Sequence, residues 1–260
     1  MGRWFKRGES PPQPMPPIAF SRLVGELLSA RMDGRPFDQV EDLTIASGDL
    51  VFGLDALYEQ YRCDIGALQE TVDEWIETVS GSLVEADSGP ILIPLIRTLE
   101  TALDSKVTFR PLAGGLAVCL GEEREEAIEG PKAYQLRGHD LTTAAFDVNF
   151  QMGMTELRAR FPKTEAEAAG SGESLLLQIG AGDGWESSLM LLREFRAWAR
   201  KQVGGPAYYA IPRTGSVLVF GERGLESGPR SAMREWATGD DSLSDQVFWE
   251  SSGGLCAEPL

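Results

Sequence analysis

Apolar residues recur along this chain at two periods, and the alternation between them predicts its elements. Phe20, Leu23, Val24, Leu27 and Leu28 fall on the 3.6-residue period and predict a first helix over 18–31. Leu43–Ala46 and Leu50–Phe52 read as a hairpin turning at Ser47-Gly48-Asp49, followed by a helix that Asp55 caps and that runs through Tyr61. A stronger stripe of Ile65, Leu68, Val72, Trp75, Ile76 and Val79 lies opposite Glu70, Asp73, Glu74 and Glu77. It predicts a helix capped by Asp64 and ended at Ser80-Gly81. Pro94 suits a first helical position, and Ile96, Leu99 and Leu103 continue one helical face from it.

The second half of the chain mixes short strands with helices. Lys106–Arg110 and Leu116–Leu120 read as strands around a Pro-Leu-Ala-Gly-Gly turn, and Ala133–Leu136 as a third. Asp140 is placed to cap a helix from Leu141 to about Arg158. The stretch 161–172 is rich in Ala, Glu and Gly and reads as a surface loop or a frayed helical turn. Leu175–Ile179 reads as a strand, Trp185–Lys201 as a helix, and Tyr208–Phe220 as two strands meeting at a Pro-Arg-Thr-Gly turn. Pro229 starts a helix to Thr238, and Gln246–Glu250 supplies a last strand. Strand pairs joined by tight turns predict an α+β fold, a mainly antiparallel mixed sheet with packed helices. The expected organisation is a flexible Pro-rich tail over 1–17, a mostly helical subdomain with a hairpin over 18–105, and an α+β subdomain over 106–250. The two subdomains are expected to form one continuous domain, with a flexible C-terminal tail over 251–260.

Charge narrows the partners. The chain has 260 residues with 24 Lys+Arg against 40 Asp+Glu, a formal net charge of −16, and so lacks the clustered positive charge that a phosphate backbone requires. Nucleic acid is not an expected partner, whereas a basic protein is. No apolar run approaches the roughly 20 residues of a membrane helix, and the basic start, Met1–Arg7, leads into Gly8–Pro12 without the apolar stretch of a secretory signal. Cys63, Cys119 and Cys256 are odd in number and widely spaced, which predicts neither disulfides nor a zinc site, and a cytoplasmic setting.

Few residues offer chemistry. Gly180-Ala181-Gly182-Asp183-Gly184, between a strand and a helix, has the setting of a nucleotide or S-adenosylmethionine loop. Trp185 stands where the third glycine of that fingerprint belongs, and Asp183-Gly184-Trp185-Glu186 also fits a capping box, in which Glu186 bonds back to the cap amide. His139, the sole histidine, sits in Arg137-Gly138-His139-Asp140 before a helix. The acidic stretch Glu122-Glu123-Arg124-Glu125-Glu126 reads as a solvated loop or edge. Polar residues set among apolar ones are the remaining candidates: Asn149, Asp183, Ser188 and Arg213, as a polar pocket if their elements converge. No cofactor and no metal site is expected.

The order of several short motifs resembles the uncharacterised bacterial YtpQ-like family. These are Leu54–Tyr61, Val148-Asn149-Phe150, Asp183–Leu189 and Ile211–Val219. Thr214 stands where that family often has an acidic residue after Arg. The resemblance implies a shared fold over most of 18–250 and brings no established activity. The expected function is a non-catalytic protein-binding, adaptor or neutraliser module with an acidic surface. The alternatives are a hydrolase or transferase in which Arg213 binds an anionic substrate group, and nucleotide or methyl-donor binding at Gly180–Gly184.

Overall fold

The computed structural model describes residues 13–48, 50–88, 90–123, 134–139, 141–171, 175–180, 183–222, 242–251 and 254–259. The fold is α+β, with mostly antiparallel sheets and packed helices, and the chain divides into two compact units, 1–87 and 88–260. The expected Pro229–Thr238 helix and the Asp140 cap lie outside the described residues.

The first unit holds α1 (Pro17–Arg31), a three-stranded antiparallel sheet of β1 (Asp38–Glu41), β2 (Thr44–Ser47) and β3 (Leu50–Gly53), then α2 (Asp55–Cys63) and α3 (Leu68–Ser88). Asp55 opens α2 without capping it, and Asp64 instead caps a 3-10 turn over Ile65–Ala67 by accepting from the Gly66 amide. Helix α3 runs past Ser80-Gly81, because the buried stripe continues from Val72, Ile76 and Val79 to Leu83 and outweighs one exposed glycine.

The Pro-rich lead-in is held at its end. Tyr58 donates its hydroxyl to the Met15 carbonyl at 2.7 Å, and the Met15 amide donates to the Tyr61 hydroxyl at 2.8 Å. Both rings pack on Phe20 of α1, at 5.1 and 5.3 Å between centroids. Residues 13–16 are therefore tethered to α2 where a free tail is expected from proline content alone. Replacing Tyr58 and Tyr61 together by Phe should cost about 1–2 kcal/mol and expose the Met15 amide to faster hydrogen exchange. Unchanged exchange at Met15 would show that the hydroxyls do not hold it.

In the second unit, β4 (Ile93–Thr98) leads into α4 (Leu99–Asp104), and β5 (Arg110–Leu112), β6 (Leu116–Glu123) and β7 (Tyr134–Arg137) complete a sheet with β6 at its centre. The helix expected from Pro94 is a strand for its first half. Pro94 is tolerated because β4 is an edge: the Ile96 amide, two residues on and facing the same way, points off the sheet, so the missing Pro94 N–H breaks no ladder bond. The outward Ile96 amide donates to the buried Ser188 hydroxyl at 3.0 Å, which closes that part of the edge.

Helix α5 (Thr143–Arg160), capped by Thr142, lays Phe146 and Phe150 against Val118 and Leu120 of β6. A second, six-stranded antiparallel sheet follows in the order β13 (Gly254–Pro259), β12 (Gln246–Ser251), β10 (Tyr208–Arg213), β11 (Ser216–Phe220), β9 (Leu176–Ile179) and β8 (Ala166–Ala169). Strand β13 lies where a flexible tail is expected; pairing from Gln246–Pro259 to Ser251–Gly254 orders it. Strand β8 lies where a loop or helical turn is expected. The Trp185–Lys201 helix is two pieces, a 3-10 segment over Glu186–Leu191 and α6 (Arg193–Val203), with a break at Leu192. Leu177, Ile179, Tyr209, Val217, Val219 and Phe248 of this sheet share a core with Leu189, Leu192 and Phe195.

Candidate functional site

Gly180 and the residues from Asp183 to Leu191 are positioned by the β10–β11 hairpin. Gly180 has φ +143°, and a Cβ there would run into the Gly215 carbonyl at the hairpin tip. The Ser187 amide donates to the Thr214 carbonyl at 3.2 Å. Glu186, 1% exposed, accepts from the Asp183 amide at 2.8 Å and from the Trp185 amide at 3.0 Å. This is the Glu half of the expected capping box, and it uses two of the amides with which a nucleotide loop would hold phosphate. A buried carboxylate there also repels an anion.

Beside this turn lies a cleft of about 530 Å³ lined by Glu156, Arg160, Lys163, Thr164, Glu165, Asp183, Trp185 and Glu186. Its organising group is Arg160 in the last turn of α5. The guanidinium donates to Glu156 at 3.0 Å, to Glu123 at 3.1 Å and to the Tyr134 hydroxyl at 2.9 Å, and stands over the Trp185 ring at 5.6 Å. Burial alone would lower its pKa, but the bonds to Glu156, Tyr134 and Glu123 hold it above the ordinary value. Burial pushes the Tyr134 phenol up to about 12, against the nearby Arg160 charge, so this hydroxyl is neutral at physiological pH. The Arg160 charge is thus already paired, whereas Lys163, Asp183 and Glu165 make no ion pair among the described residues.

A second arginine lies behind the turn. Arg97 of β4 donates to the Ile96 carbonyl at 2.7 Å and to Gly184 at 3.4 Å, and has no carboxylate partner among the described residues. Burial lowers its pKa to about 10, opposed by Cys119 and Tyr134, and burial raises the Cys119 thiol to about 11. It braces the turn from inside, and Cys119 stays a protonated core residue.

Of the four sequence candidates, Asp183 alone lines the cleft. Asn149 is half-buried and donates to the Ala145 carbonyl of its own helix at 2.9 Å, which satisfies the polar group locally. Ser188 is spent on the β4 edge. Arg213 ends β10 opposite Ser216, half-buried and bridged to Ser242, so it is a strand residue where the Pro-Arg-Thr-Gly turn is expected. His139 is exposed and lies 3.2 Å from the Lys106 carbonyl, away from the cleft lining. Of the stretch 122–126, expected as a solvated loop or edge, Glu122 and Glu123 end β6 and pair with Arg137 and Arg160, and 124–126 lie outside the described residues.

Glu156, Arg160, Tyr134 and Trp185 escape the sequence reading. The Glu156–Arg160 spacing of four residues on a helix signals one pair; the approach of Glu123, 37 residues away, carries no local signal. No group of three or more His, Cys, Asp or Glu among the described residues is arranged to hold a metal ion, and no described helix is long and apolar enough to cross a membrane. Compared with known proteins, the chain matches no family model, no curated protein and no solved structure.

Proposed function

We propose that this chain is a non-catalytic protein-binding module whose cleft accepts a basic segment of a partner protein. The observation that carries this reading is the charge balance of the cleft. Glu156, Glu165, Asp183 and Glu186 line it against Arg160 and Lys163, and the Arg160 charge is consumed by Glu156 and Glu123. A lysine or arginine side chain of a partner meets the unpaired Asp183 and Glu165 there, with the net charge of −16 steering the encounter. Placement in the cytosol belongs to the same proposal, supported by three free cysteines. The resemblance to the YtpQ-like family rests on motif order and adds no activity to it.

Titrating the protein with a lysine-rich peptide at rising salt tests this reading. Affinity should fall steeply as the Debye length shrinks from about 10 Å at 0.1 M salt to about 3 Å at 1 M. Binding that is absent at low salt, or indifferent to salt, contradicts the proposal.

A further inference from the structure

The two basic residues that line the cleft differ in how they are held. Arg160 is fixed by Glu156, Glu123 and the Tyr134 hydroxyl. Lys163 is exposed and makes neither an ion pair nor a side-chain hydrogen bond among the described residues. It ends the 3-10 turn Phe161–Lys163 that follows α5, where a lysine ordinarily complements unsatisfied carbonyls. This turn is closed by its own backbone instead, the Thr164 amide donating to the Phe161 carbonyl at 3.0 Å. The ammonium is therefore left to act on the cleft.

The charges around it define that action. Of the four carboxylates in the lining, Glu156 is paired with Arg160 and Glu186 accepts from two backbone amides, which leaves Asp183 and Glu165. A sphere of the cleft's volume, about 530 Å³, is about 10 Å across, no more than one Debye length at 0.1 M salt. Lys163 and these two carboxylates thus feel one another without full screening. Lys163 and Arg160 do not form an anion site together, because the Arg160 charge is spent and carboxylates surround the space. The lysine stem is flexible and carries a compact charge, so its ammonium can turn toward either carboxylate. We infer that Lys163 is a specificity-determining residue of the cleft: a competitor held in the same chain, which weakens every incoming cation and reserves the site for segments whose charge and contacts outweigh it.

This inference rests on the proposed binding of basic segments, and the experiment separates the two. The lysine-rich peptide is titrated at low salt into the wild type, Lys163→Met, Lys163→Arg and Lys201→Met. Lys201 is exposed in the last turn of α6 and outside the cleft lining, so its loss changes the net charge equally without touching the site. Lys163→Met should bind about two- to tenfold tighter than the wild type, with its unfolding midpoint unchanged. Lys163→Arg keeps the charge and should bind nearly as the wild type, and Lys201→Met should do the same. The gain in Lys163→Met should vanish toward 1 M salt, where the Debye length is about 3 Å. Wild-type binding that Lys163→Met leaves unchanged or weakens overturns the inference and leaves the charge reading standing. Equal gains in Lys163→Met and Lys201→Met assign the effect to net charge and also overturn it. No binding by the wild type or by Lys163→Met overturns both.

Discussion

Replacing Glu186 by Ala should destabilise the second unit by about 2–4 kcal/mol, since the buried Trp185 amide and the half-buried Asp183 amide lose a charged acceptor and an unsatisfied buried donor costs about 1–3 kcal/mol. The Asp183 and Trp185 amides have that carboxylate as their acceptor, at 2.8 and 3.0 Å. Glu186→Gln should cost less, about 1–3 kcal/mol, because one amide oxygen still accepts while the other position becomes a donor facing a donor. Urea unfolding followed by tryptophan fluorescence measures both, Trp185 standing within the affected turn. A midpoint unchanged in Glu186→Ala would mean that water serves the two amides as well as the carboxylate does, and that the turn beside the cleft is not organised by it.

Gly153→Ala should also destabilise, although it exchanges a poor helix former for the best one. Propensity favours the change by about 1 kcal/mol in the middle of α5. Packing opposes it: a Cβ at this position runs into the Leu92 carbonyl and stands 2.5 Å from the Pro94 Cδ, where α5 lies closest to the start of β4. Neither neighbour is the far end of a flexible side chain, so helix and strand must separate, and overpacking of this kind costs about 1–3 kcal/mol or more. The sum is a net loss of up to about 2 kcal/mol, readable as a lower unfolding midpoint. A gain in stability would show that the α5–β4 contact is loose.

The hydrophobic pattern made the α+β class legible, because α1, β2, β3 and the β10–β11 hairpin each combine a clear period with a recognisable turn. It failed where tertiary context overrides local preference. Pro94 signals a helix start yet sits in an edge strand, and Ala166–Ala169 favours a helix yet pairs with β9. The candidate site was legible at Asp183 and Glu186, whose capping relation is local. It was hidden at Arg160, whose partners Glu123 and Tyr134 arrive from other elements. Asn149 and Ser188 are polar residues among apolar ones, as the sequence indicates, but each is satisfied by one structural bond.

The claim that the cleft receives basic segments stands or falls on one comparison of affinities. The lysine-rich peptide is titrated by calorimetry at low salt into the wild type and into the Asp183→Asn, Glu165→Gln pair, which changes cleft charge without touching the Arg160 network. At about 0.5 kcal/mol for each half-exposed ion pair lost, the variant should bind about fivefold weaker, with its unfolding midpoint unchanged. Equal affinity in wild type and variant would place the peptide elsewhere on the acidic surface and contradict the account.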